Sequence, residues 1–332
     1  LQTLVFFSAA AAGARDLPKS VTIGYFGAVN AQLVAKGLGL DRKEMGVPVK
    51  WVKFDSGRDI ITALASKSID IGEIGTLPAA TAISNGLPIE GVFISHLSGR
   101  GVGLFVSPKL GISGPRDLIG KKVAVPFGTN PHYLLITALR LNGVDPRQVK
   151  IIDMSPAEMA AAYMRGDIDG GWVWQPNLGK VVSAGAKIIL TSEDMARKGY
   201  PTGDMEVVRK DFAKKYPDLV TKFVQGECLA AHVWLTQPHR ANVIVSKELS
   251  IPPALARQLM EANRVLTAKE QLVYLGSPVK KGRLSGDLKA VADFLFKEKR
   301  IKAVPDGTAF DRFVNPGYLE KAVKNTGGCK TI

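Results

Sequence analysis

Three short segments carry residues whose types and order could do chemistry: Asp55-Ser56-Gly57, Gly75-Thr76-Leu77-Pro78 and Gly128-Thr129-Asn130-Pro131. Each follows a β-forming run and precedes a run of helical period, so each reads as a strand giving way to a helix N-terminus, with Ser56, Thr76 and Thr129 as caps. The first amides of a helix lack partners inside it and carry the positive end of its dipole. Three such ends facing one crevice would hold an anion, although taken singly each signal also serves as a plain cap.

Catalysis finds no comparable set. The chain has no G-x-S-x-G elbow, no G-x-x-x-x-G-K-[ST] loop and no G-x-G-x-x-G after a strand, and Glu73 and Asp169 flank strands with no matching base. The histidines (His96, His132, His232 and His239) show neither an i, i+4 pair with a glutamate nor a nearby cysteine pair. No metal site and no cofactor is expected from that spacing.

The elements that must position these junctions alternate. VTIGYF from Val21, VKWVKF from Val49, IDIGEI from Ile69 and IEGVFIS from Ile89 are β-rich and separated by helical segments. A second set follows in KVAVPF from Lys122, VKIIDM from Val149, GGWVW from Gly170 and KIILTS from Lys187. Such βαβα order implies two mainly parallel sheets, an α/β fold in which ligands bind beyond the carboxyl ends of strands. LASKSIDIGEIG and YMRGDIDGGWVW echo one another, as two related lobes would. After Arg209 the chain turns mostly helical, which completes a lobe already begun. The expected organisation is 20–106 and 208–325 in lobe one and 107–207 in lobe two, with a tail at 326–332. Crossings are expected near Phe105 to Pro108 and Met205 to Arg209, as a two-strand hinge.

A chain of 332 residues with 46% hydrophobic and 22% charged residues exceeds what one core usually supports, which agrees with two lobes. Residues 1–14, LQTLVFFSAAAAGA, carry no charge and end in Ala12-Gly13-Ala14, the pattern of a signal-peptide remnant and hence of export. The formal charge of +14 is spread along the chain among acids and accompanies no nucleic-acid motif. Cys228 and Cys329 are the only cysteines; an oxidising compartment permits a bond between them, but their spacing carries no pattern.

Five blocks together resemble a known family: VKFDSGRDIITALASKSIDIGEIGTLP from Val52, DLIGKKVAVPF from Asp117, Thr129 to Tyr133, GDIDGGWVWQP from Gly166 and GDMEVVRKDF from Gly203. In this order, spanning about Val21 to Val314, they are similar to the periplasmic taurine-binding proteins of ABC transporters, close relatives of the alkanesulfonate-, nitrate- and thiamine-precursor-binding proteins. The resemblance implies the type II periplasmic-binding-protein fold, a periplasmic monomer without enzymatic activity, a small sulfonate ligand and delivery to an ABC permease in the inner membrane. It puts Asp55, Ser56, Gly57, Gly75 and Thr76 in the first-lobe wall, and Thr129, His132, Tyr133, Trp174 and Asp204 along the second lobe and hinge. The loop after the first strand offers Asn30. A sulfonate suits amides, hydroxyls and an imidazole; an ammonium suits a carboxylate or an aromatic face. Thr129-Asn130-Pro131 carries fewer hydroxyls than the family pattern, which leaves taurine, hypotaurine, an alkanesulfonate or nitrate open. An enzyme like the thiamine-pyrimidine synthases is the alternative of another class, although it would need a cysteine cluster.

Overall fold

The computed structural model describes residues 17–277 and 280–329. The leader reading of 1–14 lies outside the described residues. Ten strands build the two main sheets: β1 (Val21–Tyr25), β2 (Val49–Lys53), β3 (Ile71–Gly75), β4 (Ile89–Leu97), β5 (Val102–Val106), β6 (Lys122–Val125), β7 (Lys150–Asp153), β8 (Gly170–Trp174), β9 (Lys187–Thr191) and β10 (Gly203–Arg209). The first sheet has the order β2-β1-β3-β10-β4 and the second β7-β6-β8-β5-β9. In each, the fourth strand runs antiparallel to both neighbours, while the first three pair parallel.

The two sheets are thus wound alike, and the fourth strand of each comes from the far side of a crossing. The segments that echo one another in sequence supply β3 and β8, which hold the same third place. Burial follows position: β3 and β5 are central and buried throughout, whereas β2 lies at an edge and exposes three of its five residues.

The chain passes between sheets at 98–101 and returns at 198–202, and the amide of Ser98 donates to the carbonyl of Thr202 at 2.9 Å, so the crossings lie side by side. The expected crossings fell several residues later. An apolar run such as VGLFV reads as a continuation of the lobe before it; only the pairing of β5 with β8 and β9 assigns it to the second sheet.

Helices of the C-terminal half complete the first lobe. Pro217–Thr236 packs on Ala31–Leu38 and Leu40–Met45, and Arg283–Lys297 packs on Thr76–Ser84. A disulfide joins Cys228 to Cys329. Among the described residues no helix is long and apolar enough to cross a membrane.

Candidate functional site

A cleft opens between the sheets at the carboxyl ends of their strands. Gly57, Gly75, Thr129, Trp174 and Asp204, all singled out in the sequence, line it. So do Phe26, His96, Ser98, Gln175 and Asn263, which were not, and Asn130, which the sequence offered only as part of the third junction.

The three strand-to-helix junctions meet here, with Gly57, Gly75 and Thr129 all lining the cleft. None of the helices Gly57–Ala65, Thr76–Ser84 and Asn130–Leu141 is capped by the side chain of its N-cap residue. The hydroxyls that read as caps bond elsewhere. Ser56 donates to the Asp59 carboxylate at 2.8 Å, Thr129 to the Pro126 carbonyl at 2.6 Å, and Thr76 to the Gly203 carbonyl at 2.9 Å. Helix ends left without their own caps suit an outside anion. Gly57 is glycine for closeness: a Cβ there would lie 3.2 Å from the Ile74 Cα and 3.3 Å from the Gly75 amide, so the first two junctions are pressed together.

Asn130 ties the lobes. From the first helical position of the second lobe, its Oδ1 accepts from the Leu77 amide at 2.9 Å, and its Nδ2 donates to the Gly203 carbonyl at 3.1 Å and to Asp204 Oδ1 at 3.2 Å. Arg58 reaches the other way to the Phe127 carbonyl at 3.1 Å. The lobes are closed on one another.

Another part of the cleft is acidic. Asp204 on β10 faces His96 on β4, with Oδ2 3.5 Å from Nε2, and Glu73 on β3 stands beside them; one donor atom from each lies within 4.8 Å of the others. Burial holds His96 near 4, so its ring is neutral at pH 7, and burial pushes the Asp204 carboxyl up. Among the described residues no Lys or Arg lines the cleft. This trio is a grouping that histidine spacing could not reveal, since its members come from three different strands. Across the cleft, Trp174 meets Phe26 edge to face at 6.0 Å and supplies an apolar wall.

The remaining residues singled out lie around this cleft without lining it. Asp55 is exposed beside Ser56. Asn30 is buried at the start of Ala31–Leu38, where it accepts from the Gln32 amide at 3.0 Å and donates to Glu73. His132 stacks on Phe127 at 4.5 Å and accepts from the Gly128 amide at 3.4 Å; burial, helped by the Arg300 charge, lowers it to about 4. Tyr133 is a core residue against Phe294 and Tyr200. His96 escaped the sequence reading because only the register of β4 with β10, which sets it opposite Asp204, brings it to the site.

Comparison with known proteins places the chain in a family and matches its fold. Residues 15–250 match the model of the NMT1-like family. The taurine-binding periplasmic protein of Escherichia coli (strain K12) is 37% identical over 308 residues, which cover 91% of this chain and 93% of that protein. Among solved structures, the alkanesulfonate-binding protein of Xanthomonas axonopodis pv. citri, bound to MOPS, superposes with a TM-score of 0.76 at 20% identity, covering 90% of this chain and 99% of that one. A desulfurization enzyme, DSZB, superposes at 0.67 with 15% identity, covering 93% and 99%. The shared fold therefore serves binding proteins and an enzyme alike.

Proposed function

The chain belongs to the NMT1-like family, and from that membership and the chemistry of the cleft we propose that it is a periplasmic solute-binding protein that captures taurine or a closely related aminoalkyl sulfonate for an ABC importer. One observation carries the choice of ligand: the cleft pairs uncapped helix N-termini with a buried carboxyl, and no Lys or Arg among the described residues lines it. A zwitterion satisfies both features. Its sulfonate takes the amides, its ammonium lies by Asp204, and its two methylenes pass along Trp174 and Phe26. Nitrate or a simple alkanesulfonate would bring negative charge toward Asp204 with nothing to offset it.

Asn130 then acts as the latch that makes closure report the ligand. It bonds the amide of Leu77, the carbonyl of Gly203 and Asp204 at once, so the lobes close around the groups that hold the two ends of the ligand. A binding role also agrees with the cysteines, both of which are committed to one disulfide outside the cleft lining and offer no thiol for covalent chemistry. The protein works as a monomer that docks on its permease when closed.

A thermal-shift series over taurine, hypotaurine, ethanesulfonate, nitrate and sulfate tests this. A ligand at a hundred times its dissociation constant adds about 2.7 kcal/mol, which a melt resolves. Taurine and hypotaurine should stabilise most; a larger shift with nitrate or sulfate than with either would overturn the reading.

A further inference from the structure

Asp204 is the outermost member of a buried row of acids. Behind it lie Glu73 on β3 and Glu206 on β10, then Glu227 on Pro217–Thr236 and Asp41 on Leu40–Met45, and each of these four is at most 1% exposed. Their neighbours are mostly neutral. Asn30 donates to Glu73; Gln32 donates to both oxygens of Glu206 at 2.9 and 3.0 Å; Ser95 donates to Glu206 at 2.8 Å; and Asn130 donates to Asp204 at 3.2 Å. His96 is neutral, Glu44 adds its charge near Asp41, and Lys36 on Ala31–Leu38 is paired with Glu248. Among the described residues no Lys or Arg ion pair reaches Asp41, Glu73, Asp204, Glu206 or Glu227.

So many carboxylates packed together without a cation cannot all be ionised, because each would be a desolvated charge repelled by the next. Desolvation first, then the charges of Glu206 and Asp204, hold Glu73 well above the usual carboxylate range. The row therefore keeps protons at neutral pH. Glu73 Oε2 and His96 Nδ1 at the cleft end have no hydrogen-bond partner, and neither do the two oxygens of Asp41 or of Glu227 at the far end, so the row is short of donors along its length and only its cleft end can receive one from a ligand.

Resting on the aminosulfonate reading above, we propose that the ligand's amine enters in exchange for a proton, with Glu73 as the second counter-charge behind Asp204. An alkylammonium arriving beside Asp204 and His96 lets the Asp204–Glu73 pair pass from one shared proton to none. One carboxyl O–H breaks, its electron pair stays on the oxygen, the proton leaves to solvent, and the ammonium keeps all its hydrogens. The site so distinguishes an aminoalkyl sulfonate from a sulfonate alone by charge exchange, and its affinity for the amine-bearing ligand rises with pH.

Titration calorimetry of the folded chain at pH 7 in phosphate, imidazole and Tris, none of which carries a sulfonate, decides this, because the dependence of the observed heat on the buffer's own ionisation heat counts protons released. Taurine should release about one proton, with affinity gaining up to about tenfold per pH unit between 6 and 8, while ethanesulfonate releases none. Glu73→Gln should abolish the release and flatten the pH dependence for taurine; should that variant fail to fold, the wild-type buffer series still decides. Saturable taurine binding with no proton release, or full release retained in Glu73→Gln, overturns the exchange and leaves the sulfonate reading standing. No binding of either aminosulfonate, taurine or hypotaurine, with nitrate or sulfate bound instead, overturns both.

Discussion

Gly75→Ala adds one methyl group where the lobes meet. Gly75 is extended, at φ −77° and ψ 168°, so alanine meets no backbone objection. Its Cβ would sit 2.7 Å from Asn130 Nδ2, 2.9 Å from Oδ1 and 3.0 Å from Cγ, all atoms of one side chain from the opposite lobe. Asn130 must swing away and forfeit its bonds to the Leu77 amide, the Gly203 carbonyl and Asp204. At a net 0.5 to 1.5 kcal/mol each, three bonds amount to about 1.5 to 4.5 kcal/mol of closed-state stability. That is a loss of roughly tenfold to a thousandfold in affinity. Because the clash lies between lobes, opening relieves it without unfolding either one, and the melting temperature of the ligand-free protein should scarcely move. Calorimetric titration with taurine beside a thermal melt separates the two quantities. Asn130→Ala removes both latch and clash, so Gly75→Ala/Asn130→Ala should bind no worse than Asn130→Ala alone. Unchanged affinity in Gly75→Ala, or a melt that falls as far as the binding energy, would refute the latch.

Three further outcomes follow from the same geometry. Trp174→Ala should weaken taurine binding about tenfold or more while the fold persists, since the ring lines the cleft and packs edge to face with Phe26; unfolding in place of a binding defect would mark it as core. Cys228→Ser/Cys329→Ser opens a loop spanning 101 positions and should cost roughly 2 to 5 kcal/mol in denaturant unfolding with ligand affinity unchanged, because the bond lies outside the cleft lining. Ligand-free stability should fall as pH rises from 6.5 to 8. Burial pushes Glu206 up to about 8, so the folded state holds a proton the unfolded chain has already lost, and that contribution disappears as pH passes the folded value. His96 and His132, lowered to about 4, act in the opposite sense and only below 6.5, so Glu206→Gln should lessen the slope above it, the remainder coming from Asp41, Glu73, Asp204 and Glu227, which burial also raises.

The elements were legible because local physics decides them. Eight β-runs bounded by caps and glycines became β1 to β4 and β6 to β9, and the three junctions opened on one cleft because parallel strands deliver their carboxyl ends to the same side. β5 and β10 were misplaced relative to the crossings, since which sheet a strand joins depends on partners far away in sequence. The same limit hid the acidic end. Glu73 read as an acid with no matching base, and what gives it meaning is Asp204, opposite Gly75 in the β3–β10 register, and His96 one strand further. Thr129 and Asn130 show a subtler loss: the hydroxyl that reads as a ligand turns back to Pro126, and the amide beside it crosses the cleft. Nothing in the spacing of Cys228 and Cys329 indicated that the helical C-terminal half would bring them together.

The most direct measurement of the central claim is calorimetric titration of wild type and Asp204→Asn with taurine and with ethanesulfonate, two ligands that share the sulfonate and differ in the amine. Removing one member of a desolvated charge pair costs about 2 to 5 kcal/mol, so the substitution should weaken taurine more than tenfold and leave ethanesulfonate within a fewfold of its wild-type affinity. An equal loss for both ligands, or no loss for taurine, would contradict the account by removing Asp204 from the amine site and the aminosulfonate from the cleft.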